Sequence, residues 1–123
     1  MVKPPGLSET VTGEFMRTIE ATEDLSTLLD AERAILFKHS SRCELSALAW
    51  QQVEKFVATC PAAEVFVINV IENRSMSLEA ESRLGVRHET PQVILVEAGQ
   101  AVRQASHRHV RVKTLKEWWD GDK

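Results

Sequence analysis

Among the residues of this chain able to do chemistry, Cys43 and Ser46 in 36-LFKHSSRCELSALAW-50 stand out by type and spacing. The pattern is C-x-x-S: the position where a second thiol would complete C-x-x-C holds a hydroxyl. A lone thiol can attack a disulfide and become a mixed disulfide, but it has no neighbour with which to clear itself. Cys43 follows the apolar run 33-RAILFKH-39 and heads an amphipathic run, which places it between a strand end and a helix start. The unpaired amides and dipole of a helix N-terminus favour an anion, and hence a thiolate. Ser46, one turn on, could donate a hydrogen bond to that sulfur, and His39 and Arg42 add proton-sharing or positive groups. The competing reading of an isolated Cys is a small apolar residue at a helix start. Here the strand–turn–helix context favours the reactive one.

Cys60, the second cysteine, extends the stripe Val53, Phe56 and Val57 to the far end of the same helix, just before Pro61. At 1.5 Å per residue it lies about 25 Å from Cys43, beyond disulfide reach, and reads as packing. Lys38, His39 and Arg42 could bind the carboxylates of a small-thiol ligand; Lys38 and Arg42 could equally be solvated charges at a strand end. The stretch 107-HRHVRVK-113 reads as a solvated loop ahead of the last helix, with a carboxylate-binding rim as the alternative. His107 and His109 lack acidic or Cys neighbours in sequence, so no metal site is expected. Trp118 and Trp119 read as anchors of a terminal helix rather than as a docking patch.

The elements that must position these residues follow from periodicity. A weakly marked strand covers 15–19. A helix opens at Thr22, with Thr22 as a polar cap, Glu23 and Asp24 in the first turn, and Leu25, Leu28 and Leu29 as its buried stripe. Residues 33–39 form a buried strand. A helix then runs from Cys43 to Pro61, with Ala49/Trp50, Val53 and Phe56/Val57 recurring at three- and four-residue steps. The run 64-EVFVINVIE-72 is apolar on both faces, as a central strand is. Residues 77–84 predict a short helix closed by Gly85. Two strand-like runs, 92–97 and 100–105, flank a tight turn at Glu97-Ala98-Gly99, and 114–121 is a last helix. The order β-α-β-α-β-α-β-β-α predicts an α/β domain with a mixed sheet and helices on both faces.

A chain of 123 residues suits one domain, 1–123, with residues 1–8 as a loose leader. The net charge of -3 gives no reason to expect nucleic acid or a membrane surface as partner. No apolar run approaches a membrane span, no signal peptide is evident, and two cysteines do not make a disulfide framework. A cytoplasmic protein is the expectation.

Two further stretches make the pattern specific. The segment 88-HETPQV-93 precedes a strand and looks like the cis-proline loop of a thioredoxin-like fold, with Thr90-Pro91 as the cis bond. FKHSSRCELS, VIENRS, GVRHETPQVILVEAGQAV and ASH together resemble the monothiol bacilliredoxin family, also called YtxJ-type bacillithiol-system proteins, from about Arg33 to His107. That resemblance implies a thioredoxin-like fold with a central mixed sheet of four to five strands. It implies removal of bacillithiol, or a similar small thiol, from S-thiolated client proteins through Cys43. Ser46 would assist, and Thr90 and Pro91 would receive the client, the backbone before the proline pairing with it in a β-like way. The low-molecular-weight thiol is then a co-substrate, with no tightly bound cofactor or metal. Glu44 stands where a small residue or proline is usual, and its charge opposes thiolate formation. Two other classes stay open: an iron–sulfur carrier like the monothiol glutaredoxins, whose R-C-G-F-S is echoed by 42-RCELS-46, and a non-catalytic thioredoxin-fold interaction module.

Overall fold

The computed structural model describes residues 16–121; the leader and Phe15 lie outside them. Ten elements follow: β1 (Met16–Thr18), α1 (Thr22–Asp30), β2 (Arg33–His39), α2 (Glu44–Thr59), β3 (Val65–Asn69), α3 (Arg74–Leu84), β4 (Gln92–Glu97), β5 (Gln100–Ser106), a 3-10 turn (His107–His109) and α4 (Val112–Trp119). The five strands form one mixed sheet in the order β1-β3-β2-β4-β5. β1, β3 and β2 run parallel, while β4 is antiparallel to β2 and β5 to β4.

Period-two alternation divides the sheet's side chains between two cores. Ile35, Phe37, Val65, Val67, Val93 and Leu95 pack against Ala49, Val53, Phe56 and Val57 of α2 and Leu115 of α4. Ala34, Leu36, Phe66, Ile68, Ile94 and Val96 face Leu25 and Leu28 of α1 and Met76 and Ala80 of α3. Strands buried on both faces cannot alternate polar and apolar, which is why β2, β3 and β4 read as continuous apolar runs.

Three of the boundaries that differ from the sequence reading do so for a local polar reason. Ala21, not Thr22, is the cap of α1; the Asp24 carboxylate reaches back to accept the backbone N–H groups of Glu20 (2.9 Å) and Ala21 (3.2 Å). β3 stops at Asn69 although Val70 and Ile71 are apolar. The Asn69 Oδ1 accepts the amides of Ile71 (3.0 Å) and Glu72 (3.2 Å) and turns the chain. α3 starts three residues early, after Asn73, whose Nδ2 donates to the Glu20 carbonyl at 3.0 Å and ties the helix start to the β1–α1 loop.

The hairpin turn places both Ala98 (φ 52°) and Gly99 (φ 78°) in the left-handed region, which matches the twist of the paired strands. α4 begins two residues early and is anchored as expected. Trp119 meets Phe56 edge-on at 6.4 Å, and the Arg33 guanidinium stacks over its ring at 4.9 Å while pairing with Glu97.

Candidate active site

The turn between β2 and α2 is built by two serines. The Ser40 amide donates to Ser46 Oγ (3.2 Å), the Arg42 amide donates to Ser40 Oγ (3.3 Å), and the Cys43 amide donates to the Ser40 carbonyl (3.3 Å). Ser40 is 7% exposed and Ser46 fully buried, so these bonds are protected from water. Ser46 accordingly shapes the loop in front of the thiol. Among the described residues no hydrogen bond joins it to the Cys43 sulfur, the contact expected from sequence. Cys43 is the N-cap of α2, extended at φ −115° and ψ 124°, and half-buried. Its carbonyl accepts the Ala47 amide (3.1 Å), while the amides of the first turn before it have no intrahelical acceptor.

A groove of about 670 Å³ opens beside the thiol, walled by His39, Trp50, Ala47 and Gln51 and rimmed by Glu20, Glu54 and Glu72. His39 lies on the α2 face of the sheet, 4.8 Å from the Trp50 ring and 5.5 Å from Phe37. Its Nδ1 is buried with no hydrogen-bond partner. Burial lowers its pKa below the ordinary histidine value, an effect the nearby Ser46 backbone only partly offsets. A histidine that resists protonation is poorly suited to cationic binding of a carboxylate.

The remaining sequence candidates are separated by the pleat. Lys38 points to the opposite face from His39 and is fully buried, away from the groove. Burial lowers its pKa, the Glu81 charge acting against this. Arg42 is exposed on the turn. The Thr90-Pro91 bond is cis. Lys38 pairs with Gln92 across β2 and β4, so extending the register by one or two residues sets Pro91 and Thr90 beside His39 and Ser40, at the sheet end that carries Cys43. Cys60, the C-cap of α2, is half-buried rather than enclosed and packs against the α2 core.

Two features escape a linear reading. His107 is not without an acidic neighbour: its Nε2 lies 3.6 Å from Glu89 Oε1, brought close by the β4–β5 hairpin. His88, Ser77 and Glu81 converge on Lys38 and Thr90 from α3 and the loop before β4. No periodicity marks that convergence, because it joins segments up to fifty positions apart. Among the described residues no group of three or more His, Cys, Asp or Glu side chains is arranged to hold a metal ion. No helix among them is long and apolar enough to cross a membrane.

Solved structures share this architecture. A protein described as having a thioredoxin fold superposes with a TM-score of 0.78 at 22% identity, over 84% of this chain and 92% of its own. Thioredoxin from Trypanosoma brucei brucei gives 0.71 at 9% identity, over 97% and 99%. A mutant thioredoxin from Halobacterium salinarum gives 0.68 at 19% identity, over 89% and 91%. At these identities the likeness establishes the fold. The family model described as monothiol bacilliredoxin BrxC matches residues 16–115, from the first strand to the last helix, and so takes in the Cys43 turn and the cis-proline loop alike. This chain, a thioredoxin-fold protein with one thiol at the head of α2, therefore belongs to the monothiol bacilliredoxin family of thiol oxidoreductases.

Proposed function

We propose that this protein removes bacillithiol, or a similar low-molecular-weight thiol, from protein mixed disulfides through Cys43. The observation that carries the reading is the placement of Cys43 as the N-cap of α2, beside a groove, with Ser46 at the next turn. The Cys43 thiolate attacks the small-thiol sulfur of a client–S–S–R adduct. The S–S bond of the adduct breaks, the client leaves as thiolate with its own sulfur and takes up a proton, and Cys43 is left as Cys43–S–S–R. No electrons are lost or gained overall in this exchange. A second small thiol or another protein's thiol then attacks Cys43–S–S–R, forming a new disulfide and releasing Cys43.

His39 lines the same groove as Cys43, and as a neutral imidazole it can share a hydrogen bond with the thiol without adding a charge beside it. Amides at the α2 start favour the Cys43 thiolate. Arg42, exposed on the turn, is the cation closest in sequence to the thiol and the better candidate for a carboxylate on the small thiol; Lys38 lies on the other face. The client segment lies along Thr90 and Pro91. A cytoplasmic, reducing compartment suits a protein that works through a free thiol.

The test is intact-protein mass spectrometry after mixing the protein with a client carrying bacillithiol in mixed disulfide. The expected result is a bacillithiol adduct on Cys43 with release of reduced client, lost in Cys43→Ser. Transfer that persists in Cys43→Ser overturns the reading.

A further inference from the structure

On the face of the sheet away from the groove, a lysine is buried completely between Ile68 of β3 and Gln92 of β4. We propose that Lys38 and His88 are positioning residues that hold the Thr90–Pro91 loop against the Cys43 end of the sheet, and so set affinity for the client rather than reactivity of the thiol.

Lys38 is 0% exposed, and a buried amine is retained only where partners compensate its desolvation. Its Nζ lies 3.3 Å from His88 Nδ1. His88 in turn reaches three other groups: Ser77 Oγ of α3 lies 3.1 Å from Nδ1, Thr90 Oγ1 lies 3.3 Å from Nε2, and the His88 amide donates to Glu81 Oε2 at 3.0 Å. A second buried group, Gln92, braces the same loop. Its Nε2 donates to the Arg87 carbonyl (3.0 Å) and to Gln104 Oε1 (2.9 Å), and its Oε1 accepts the Glu89 amide (3.4 Å). Each residue from Arg87 to Thr90 thus has a polar tether, and those of His88 and Thr90 lead to Lys38. The loop preceding β4 is fixed by directional bonds, which set its position more narrowly than apolar contact would.

With Lys38 charged, the chain of bonds has a consistent proton arrangement. An ammonium at Lys38 makes His88 Nδ1 an acceptor, so Nε2 carries the hydrogen and donates it to Thr90 Oγ1. Protonated His88 would turn an N–H toward the Lys38 ammonium. The charged and titratable groups facing His88 are Lys38 from β2, Arg74 and Glu81 from α3, and Glu89 from its own loop. Burial, then Lys38, and to a lesser degree Arg74 lower its pKa, against Glu81 and Glu89. Acid should therefore break the Lys38–His88 link and loosen the Thr90 loop.

The consequence for turnover rests on the reading above, in which the client lies along Thr90. The test uses the full chain and its Lys38→Met and His88→Asn variants, with a bacillithiolated client as substrate. Met keeps the volume of Lys38 without the amine, while Asn retains an acceptor near the Nδ1 position, cannot titrate, and loses the bond to Thr90. Lys38→Met should raise KM for the client roughly tenfold, the worth of one hydrogen bond to a charged group, and His88→Asn about fivefold, the worth of the neutral bond to Thr90. Their kcat, and the rate at which iodoacetamide alkylates Cys43, should stay within about twofold of wild type on the same scale of effects. Wild-type KM should rise only as pH falls below about 6.5, because His88 protonates below the ordinary histidine value, and that rise should vanish in His88→Asn. Hydrogen exchange at the Arg87–Thr90 amides should quicken in both variants. KM unchanged in both, KM and alkylation shifting together, or loop exchange unchanged would each overturn the proposal. If wild type transfers no bacillithiol, the functional reading fails, and amide exchange alone still decides whether Lys38 and His88 hold the loop.

Discussion

Replacing Ser46 by Cys would convert a one-thiol site into a two-thiol site and test the logic of the α2 start. Cβ atoms three apart on a helix lie about 5–6 Å from each other, against the roughly 3.5–4.5 Å that a disulfide spans, so a small shift of the Ser40–Cys43 turn closes the bond. Ser46 Oγ accepts the buried Ser40 amide, and a thiol accepts only weakly; the substitution therefore weakens a protected hydrogen bond. Leaving that amide poorly satisfied costs about 1–3 kcal/mol, with the lower end expected because sulfur retains part of the interaction. The chemical effect should be larger. A thiol held one turn away acts at an effective concentration of at least roughly millimolar, so it should shorten the life of Cys43–S–S–R wherever external thiol is scarcer than that. The assay is release of bacillithiol from the pre-formed adduct, followed by intact mass in a Cys60→Ala background, beside urea unfolding of the same protein. An adduct as long-lived in Ser46→Cys as in the parent would refute the proximity argument. An unchanged urea midpoint would refute the role given to the Ser46–Ser40 bond.

Cys60→Ala should leave transfer intact and lower stability by about 1 kcal/mol, because it removes one sulfur from a half-buried site; chemical denaturation with a turnover assay checks both. His39 and His88 both resist protonation when folded, so the unfolded chain binds more protons below about pH 6.5. Stability should then fall as pH drops below that value and level off once the folded imidazoles also titrate. His39→Phe should flatten the slope in urea midpoints taken across this range, and an unaltered slope would remove His39 from the account. Gly99→Ala should cost about 1–2 kcal/mol for the left-handed backbone, and more if the Leu29 carbonyl, 3.3 Å from the added methyl, cannot give way. A thermal midpoint equal to that of the parent would show that the turn relaxes freely.

Strands were legible where burial acts on both faces, since 33-RAILFKH-39 and the run of β4 admit only apolar side chains over most of their length. Element ends were legible where backbone chemistry is marked by a residue type, as with Gly85 closing helix α3 in the left-handed conformation. Asn69 ended β3 through a side-chain bond that apolar Val70 and Ile71 concealed.

The same division runs through the site. Sequence alone placed Cys43 at a strand–helix junction, because local spacing and residue type determine it; Thr90-Pro91 was marked as the cis bond only by the family resemblance. Sequence could not decide among Lys38, His39 and Arg42, three charged or titratable side chains within five positions. The pleat decided that: His39 joins the thiol's groove, Lys38 is driven through to the other face, and Arg42 remains in solvent. Ser46 was picked out by its spacing from Cys43, but its bond to Ser40 depends on how the turn folds back. His88 was invisible as a partner of Lys38 because fifty positions separate them, and only the antiparallel pairing of β2 with β4 brings the two ends together. Local chemistry follows from neighbours in the chain; which groups share a proton or a cavity follows from the sheet.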